Sequence, residues 1–148
     1  MKMKIRNLVI GFAFNSNYDL VIMIRKNRPQ WQKGYLNGIG GKVEPEDYEE
    51  AISFPLITPF EVAMQREFKE EAGVDTEGWE MFCKQIGSGY ILRCYQIVLS
   101  DDDFDKCKSM TDELVVKICV NDILMDTEEF IHDVMWLIPL ALGEGKHR

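Results

Sequence analysis

From Ile5 to Phe14 the chain (IRNLVIGFAF) is apolar almost throughout, the pattern of a strand covered on both faces. The turn-forming run Asn15-Ser16-Asn17 separates it from Asp19–Arg25 (DLVIMIR), a second strand, so the two read as a hairpin. Lys26–Gly34 is polar, contains Pro29 and Gly34, and reads as an exposed loop. Tyr35–Val43 sets Gly38, Gly40 and Gly41 among small apolar residues, which marks a strand or turn where something approaches the backbone closely. Glu44–Asp47 is an acidic turn, and Tyr48–Ile57 fits either a short helix or an ordered loop.

A helix start follows. Thr58 suits the N-cap, Pro59 the first turn, and Glu61 completes a capping box. The helix runs to about Ala72, where Gly73 stops it, and Val62, Ala63, Met64 and Phe68 supply its buried surface. Trp79–Ile86 and Tyr90–Leu99 read as strands joined at Gly87-Ser88-Gly89. Asp101–Asp105 (DDDFD) reads as a solvated acidic loop, because calcium would need ligands spaced over a longer loop. Glu113–Val120 is another strand, Asn121–Glu129 a polar turn, and Glu129–Leu142 an amphipathic helix that Pro139 should interrupt. Strands on both sides of a central helix, with a helix at the end, give an α/β domain with a mixed sheet. No repeat or linker divides residues 1–148, so one domain is expected.

Charge narrows the function. Asp and Glu number 25 against 17 Lys and Arg, a formal net charge of −8, which disfavours a module held on nucleic acid by phosphate contacts. An anionic substrate would then need carboxylates carrying divalent cations. The apolar runs Leu8–Phe14 and Met135–Leu142 are too short to span a membrane, and the basic start Met1-Lys2-Met3-Lys4 leads into no signal-peptide core, so a cytoplasmic protein is expected. Cys83, Cys94, Cys107 and Cys119 have no metal-knuckle spacing and read as small buried hydrophobes. His132 and His147 have no second ligand close in sequence.

The chemistry concentrates in Arg66-Glu67-Phe68-Lys69-Glu70-Glu71-Ala72-Gly73-Val74. On a helix, Glu67, Glu70 and Glu71 fall at i, i+3 and i+4, so three carboxylates share one face of one turn. Such crowding weakens an isolated helix but makes a hard oxygen cage for Mg²⁺ or Mn²⁺. Upstream, Gly38-Ile39-Gly40-Gly41-Lys42-Val43-Glu44 can bring backbone groups against a metal or phosphates.

Together these segments resemble the Nudix box: Gly, five residues, Glu, seven residues, then Arg-Glu-apolar-x-Glu-Glu-x-Gly-apolar. Arg66–Val74 match its second half without exception, and Gly41-Lys42-Val43-Glu44 matches its start. The spacing departs from the pattern. Gly41 and Arg66 stand 25 positions apart, not fourteen, so about 11 residues are inserted, at about 46–57. The box's first glutamate would fall on Thr58 counted back from Arg66, and on Asp47 counted from Gly41. The insertion is expected to loop out and leave the glycine strand against the helix.

The resemblance implies a Nudix-type α/β/α sandwich and roles for particular residues. Glu67, Glu70 and Glu71 would bind Mg²⁺ (or Mn²⁺), with the Gly40 carbonyl completing the shell. Glu67 or a neighbour would help deprotonate the attacking water, and Arg66 would orient a glutamate through a charge-assisted contact. Family members often add a glutamate roughly forty-five positions beyond the helical one. Glu113, at the start of a strand, is placed to be that ligand or base. Water would attack an internal phosphorus of a nucleoside triphosphate, giving a monophosphate and pyrophosphate.

Tyr35-Leu36-Asn37-Gly38-Ile39-Gly40-Gly41-Lys42-Val43 resembles the W-N-G-F-G-G-K-V segment of the MutT-like, oxidised-purine nucleoside triphosphatases, and lacks the L-P-A-G pattern commoner in ADP-ribose hydrolases. By that likeness Asn37 would read a base edge, for which an amide is equipped to donate and accept. Gly41 and Lys42 would face the phosphates. Asp133, with Trp136 beside it, would close the base pocket from Phe130–Leu142. The expected function is therefore pyrophosphohydrolysis of nucleoside triphosphates, 8-oxo-dGTP among them, by a monomer or homodimer without nucleic-acid or membrane partners. The alternatives are a diphosphatase of dinucleoside polyphosphates, ADP-ribose or capped RNA, and a non-catalytic regulatory module of the same fold.

Overall fold

The computed structural model describes residues 4–53, 56–125, 129–131 and 133–146. His132 and His147 lie outside the described residues. The described residues form seven strands, β1 (Arg6–Phe14), β2 (Leu20–Arg25), β3 (Leu36–Asn37), β4 (Ile39–Lys42), β5 (Glu80–Gly87), β6 (Tyr90–Val98) and β7 (Leu114–Cys119). They form one mixed sheet in the order β3-β2-β1-β6-β5, with β4 also paired to β1 and β7 to β2. β1 is central: it runs parallel to β6 over its whole length, while β4 and β2 pair antiparallel with its first and last parts. That position, covered on both faces, explains why its sequence is apolar throughout.

Alternation along the strands divides the core. Val9, Ala13, Ile22, Ile24, Tyr95 and Ile97 pack with Met64 and Phe68 of α2 (Pro59–Ala72) and Phe104 of α3 (Asp101–Lys106). Ile10, Phe12, Phe14, Val21, Met23 and Cys94 pack on the other face with Ile123 of α4 (Val120–Met125) and Leu137 and Ile138 of α5 (Val134–Lys146). The helix–sheet–helix layering is that of a Nudix-type α/β/α sandwich, as expected. No helix among the described residues is long and apolar enough to cross a membrane.

Four segments differ from the sequence reading. The insertion does not loop out: of the two readings of Tyr48–Ile57 the short helix holds through Ser53, because Pro45–Ser53 forms α1, packed against α2 with Asp47 and Ala51 buried. The acidic run 101–106 is helical because Ser100 caps it and three aspartates in its first turn favour the positive end of the helix dipole. The polar stretch after β7 begins with α4. Finally, Phe130 is extended and pairs with Leu36, so the last helix starts at Val134 and continues through Pro139. Of the cysteines, Cys94 and Cys107 are buried while Cys83 and Cys119 are half-buried, all of them free thiols.

Candidate active site

Both ends of α2 are fixed by local chemistry, and this sets the phase of its acidic turn. Thr58 accepts a hydrogen bond from the Glu61 amide (3.1 Å), and its hydroxyl meets the Glu61 carboxylate at 3.3 Å, with Pro59 in the first turn. At the other end Gly73 takes a left-handed conformation (φ 80°) and donates its N–H to the Lys69 carbonyl. Loop 107–110 then docks on the helix end, Lys108 and Met110 donating to the carbonyls of Ala72 and Glu71.

Glu67 lies directly against the glycine strand. A Cβ on Gly41 would sit 2.4 Å from Glu67 Oε1 and 2.7 Å from its Cδ, so only glycine leaves room for the carboxylate. Burial, opposed by Arg66 and reinforced by Glu70, pushes the Glu67 carboxyl up to about 7. Gly41→Ala is expected to displace Glu67 with the fold retained. The activity proposed below should then drop about a hundredfold, the scale for a misplaced catalytic group, with an unchanged circular dichroism spectrum.

Arg66 organises the acidic groups. Its Nε and Nη2 donate to Asp47 Oδ1 and Oδ2 at 2.9 and 3.0 Å, a bidentate pair. Nη2 also donates to the Lys42 carbonyl (2.9 Å), and Nη1 bridges Glu67 Oε1 and both Glu70 oxygens at 3.1 Å. Asp47 is 1% exposed and its carboxylate also accepts the Glu44 N–H. The count from Gly41 therefore locates the acid that meets Arg66, and the inserted residues follow it. The salt bridge ties α1 to α2, and the bond to the Lys42 carbonyl ties the glycine strand to the same guanidinium.

Glu71 and Glu113 are joined through Thr111. The Thr111 hydroxyl donates to Glu71 Oε2 (3.0 Å) and accepts the Glu113 N–H (3.1 Å). The Glu113 side chain, only 3% exposed, turns from the acidic turn to loop 26–28. It accepts from Lys26 Nζ (3.2 Å) and from the backbone N–H groups of Asn27 and Arg28. Arg28 pairs outward with Asp112 at 2.6 Å. Nothing in a lone threonine or a loop lysine marks Thr111 or Lys26 in the sequence as the partner of a side chain so distant in the chain.

The remaining candidates divide between the faces of the sheet. Gly40 stands next to Gly41 in β4, opposite Ile10. The Lys42 side chain is exposed and its carbonyl is the part bound to Arg66. Asn37 is paired across β2 with Ile24 and so shares the α2 face; its Nδ2 donates to Gln32 Oε1 (3.2 Å) and its Oδ1 accepts the Gly38 N–H (2.8 Å). Asp133 lies at the start of α5, near enough to Cys94 to raise its thiol pKa, on the opposite face. The structure therefore does not bring Asn37 and Asp133 onto one face. Trp136 is 44% exposed. A groove of about 530 Å³ lined by Glu50, Leu56, Ile57, Glu61 and Gln65 follows the insertion on the side of α2 away from the acidic turn.

The donors suit a hard divalent cation: carboxylates on one turn, one of them largely buried in a space that glycine keeps open. Among the described residues no three acidic, histidine or cysteine side chains are already gathered as a ligand set. Arg66 holds Glu67 and Glu70, and Thr111 holds Glu71, so coordination would exchange these hydrogen bonds for ligation.

No protein-family model matches the chain, and no curated protein matches it in sequence. Solved structures do match in three dimensions. A MutT structure from work on Aliivibrio salmonicida and Vibrio cholerae is 18% identical with a TM-score of 0.70, covering 95% of this chain and 99% of its own. The NUDIX domain of Shewanella oneidensis NrtR, complexed with ADP-ribose, is 16% identical with a TM-score of 0.72 over 97% and 90%. The chain has the Nudix fold. A NUDIX-family hydrolase from Clostridium perfringens, 14% identical with a TM-score of 0.68, covers 97% of this chain and 99% of its own. Within the Nudix fold, then, Arg66–Ala72 are the acidic end of α2, Gly73 caps it, and Ile39–Lys42 are the neighbouring strand.

Proposed function

We propose that the chain is a divalent-metal-dependent Nudix hydrolase that cleaves nucleoside triphosphates to a monophosphate and pyrophosphate, oxidised purine nucleotides such as 8-oxo-dGTP included. The observation that carries this reading is the Glu67 carboxylate lodged against Gly41 on a turn that also carries Glu70 and Glu71. Glu67, Glu70 and Glu71, with the Gly40 carbonyl, would hold Mg²⁺ or Mn²⁺. The bound cations supply charge neutralisation of the polyphosphate and a more acidic water. Glu67, or a neighbouring carboxylate of the same turn, would accept the proton of the attacking water. Arg66 keeps that carboxylate oriented, and the Gly41 and Lys42 backbone lies beside the phosphates. Asn37 reads the base by giving up its contacts to Gln32 and Gly38, whereas Asp133, by Cys94 on the other face of the sheet, is left out of this base site.

Glu113 enters this reading as a positioning residue, because its oxygens already hold Lys26 and the loop N–H groups. Glu113→Gln is expected to lower kcat/KM about tenfold through loosening of loop 26–28, with Mn²⁺ affinity unchanged. A matching fall in Mn²⁺ affinity would make it a ligand instead, as its spacing from Glu67 implies.

The reading is tested by incubating the protein with Mg²⁺ and a panel of normal and oxidised nucleoside triphosphates, ADP-ribose and dinucleoside polyphosphates. Monophosphate and pyrophosphate release from purine triphosphates is expected, with weaker turnover of the others. No turnover of any member would remove the enzyme reading. Equal turnover of guanine and pyrimidine triphosphates would remove the base role of Asn37. ADP-ribose belongs in the panel because a NUDIX domain complexed with it shares this fold.

A further inference from the structure

We propose that Cys83 and Cys94 form an oxidisable thiol pair that closes to an intrachain disulfide on exposure to a hydroperoxide. The two residues are direct partners across the antiparallel β5–β6 ladder. Directly opposed residues of such a ladder have Cα atoms about 4.5–5.5 Å apart, inside the 4.4–6.8 Å span of disulfides. Their side chains share the face that packs on α5, so both thiols enter one apolar cluster. An irregularity in the ladder between Met81 and Cys83 interrupts regular pairing beside the pair, where a strand has room to adjust.

The other cysteines have different surroundings. Cys119 is paired with Leu20, and the Cys107 thiol donates to the Asp103 carbonyl at 3.4 Å. The pair is also asymmetric: Cys94 is 0% exposed, whereas Cys83 is half-buried. Burial first, and then the adjacent Cys83 thiol, push the Cys94 thiol up to about 12, so it stays protonated and does not react first.

The chemistry is accordingly ordered. The Cys83 thiolate attacks the hydroperoxide O–O bond and becomes a sulfenic acid, while the peroxide is reduced and leaves as hydroxide or alkoxide. The Cys94 sulfur then attacks the sulfenic sulfur. The S–S bond forms, the S–O bond breaks, and the Cys94 proton leaves with the hydroxyl as water. The bond would join β6 to the edge strand β5, in the same cross-strand row as Ile10 and Gly40. None of these steps uses the acidic turn, so this inference stands apart from the proposed hydrolase activity.

The test treats the folded chain with hydrogen peroxide, blocks remaining thiols with N-ethylmaleimide, and maps non-reduced peptides by mass spectrometry. One cross-link, Cys83 to Cys94, is expected in monomeric protein, with Cys107 and Cys119 recovered as maleimide adducts. Cys83→Ser should leave Cys94 a thiol under the same treatment, and Cys94→Ala should let dimedone trap Cys83 as its sulfenic acid. Recovery of Cys94 as a maleimide adduct beside a sulfinic Cys83 in the unsubstituted chain would overturn the proposal. So would a cross-link that forms only in denaturant.

Discussion

Glu67→Gln is expected to lower kcat for nucleoside triphosphate hydrolysis by about a thousandfold, several kcal/mol of lost transition-state stabilisation, measured as pyrophosphate release at saturating Mg²⁺. The substitution keeps the side-chain shape and removes the charge, so the fold should persist. It should even stabilise the metal-free protein. The folded Glu67 carboxyl is raised from 4.5 to about 7, so the folded state holds its proton more tightly than the unfolded chain does. That proton is lost from the unfolded state first, and stability falls as pH rises between those values. Above about 7 the buried charge is a net cost that glutamine removes, on the order of 3 kcal/mol, read as a rise in Tm of several degrees. A Gln variant that keeps full turnover would mean that Glu67 is not at the reacting centre.

Arg66→Met is expected to destabilise the protein by about 3 kcal/mol, read from the midpoint of urea unfolding, and to abolish turnover. Asp47 would be left as a buried carboxylate without its bidentate partner, and breaking one side of such a pair leaves a charge that burial penalises. The same change releases Glu67, Glu70 and the Lys42 carbonyl from one guanidinium. Lysine is a poor replacement, because a single ammonium cannot reproduce the planar fork. Asp47→Ala combined with Arg66→Met should recover part of the lost stability, because the orphaned charge is gone, but none of the activity. An Arg66→Met protein as stable as the parent would show that the α1–α2 junction does not depend on this pair.

Those two side chains also show what the sequence makes legible. The acidic helix is readable because its information is local: the capping box, the i, i+3, i+4 carboxylates and the terminal glycine lie within one run, and the structure keeps them all. The central strand is readable because burial on both faces leaves it apolar. The insertion is harder. Its composition is polar on one side and apolar on the other, and only packing against α2 makes Pro45–Ser53 a helix and buries Asp47. Helix 101–106 is hidden for the opposite reason: a run of aspartates looks like solvent-facing loop until Ser100 caps it.

Long-range pairings are invisible in the chain. Glu113 stands at the spacing of a metal ligand, but that spacing says nothing of Lys26, which takes up its charge from 87 positions away. Asn37 and Asp133 each fit a base-reading role alone, and only the register of Asn37 with Ile24 and the packing of Asp133 by Cys94 reveal that they lie on different faces of the sheet.

The most direct measurement is Mn²⁺ binding followed by electron paramagnetic resonance of the free ion, comparing the native chain with one in which Glu67, Glu70 and Glu71 are all glutamine. Saturable loss of the free-ion signal is expected with the native chain, enhanced by a non-hydrolysable nucleoside triphosphate, and near-complete recovery of that signal with the glutamine variant at unchanged circular dichroism. Equal Mn²⁺ uptake by the two folded proteins would contradict the account.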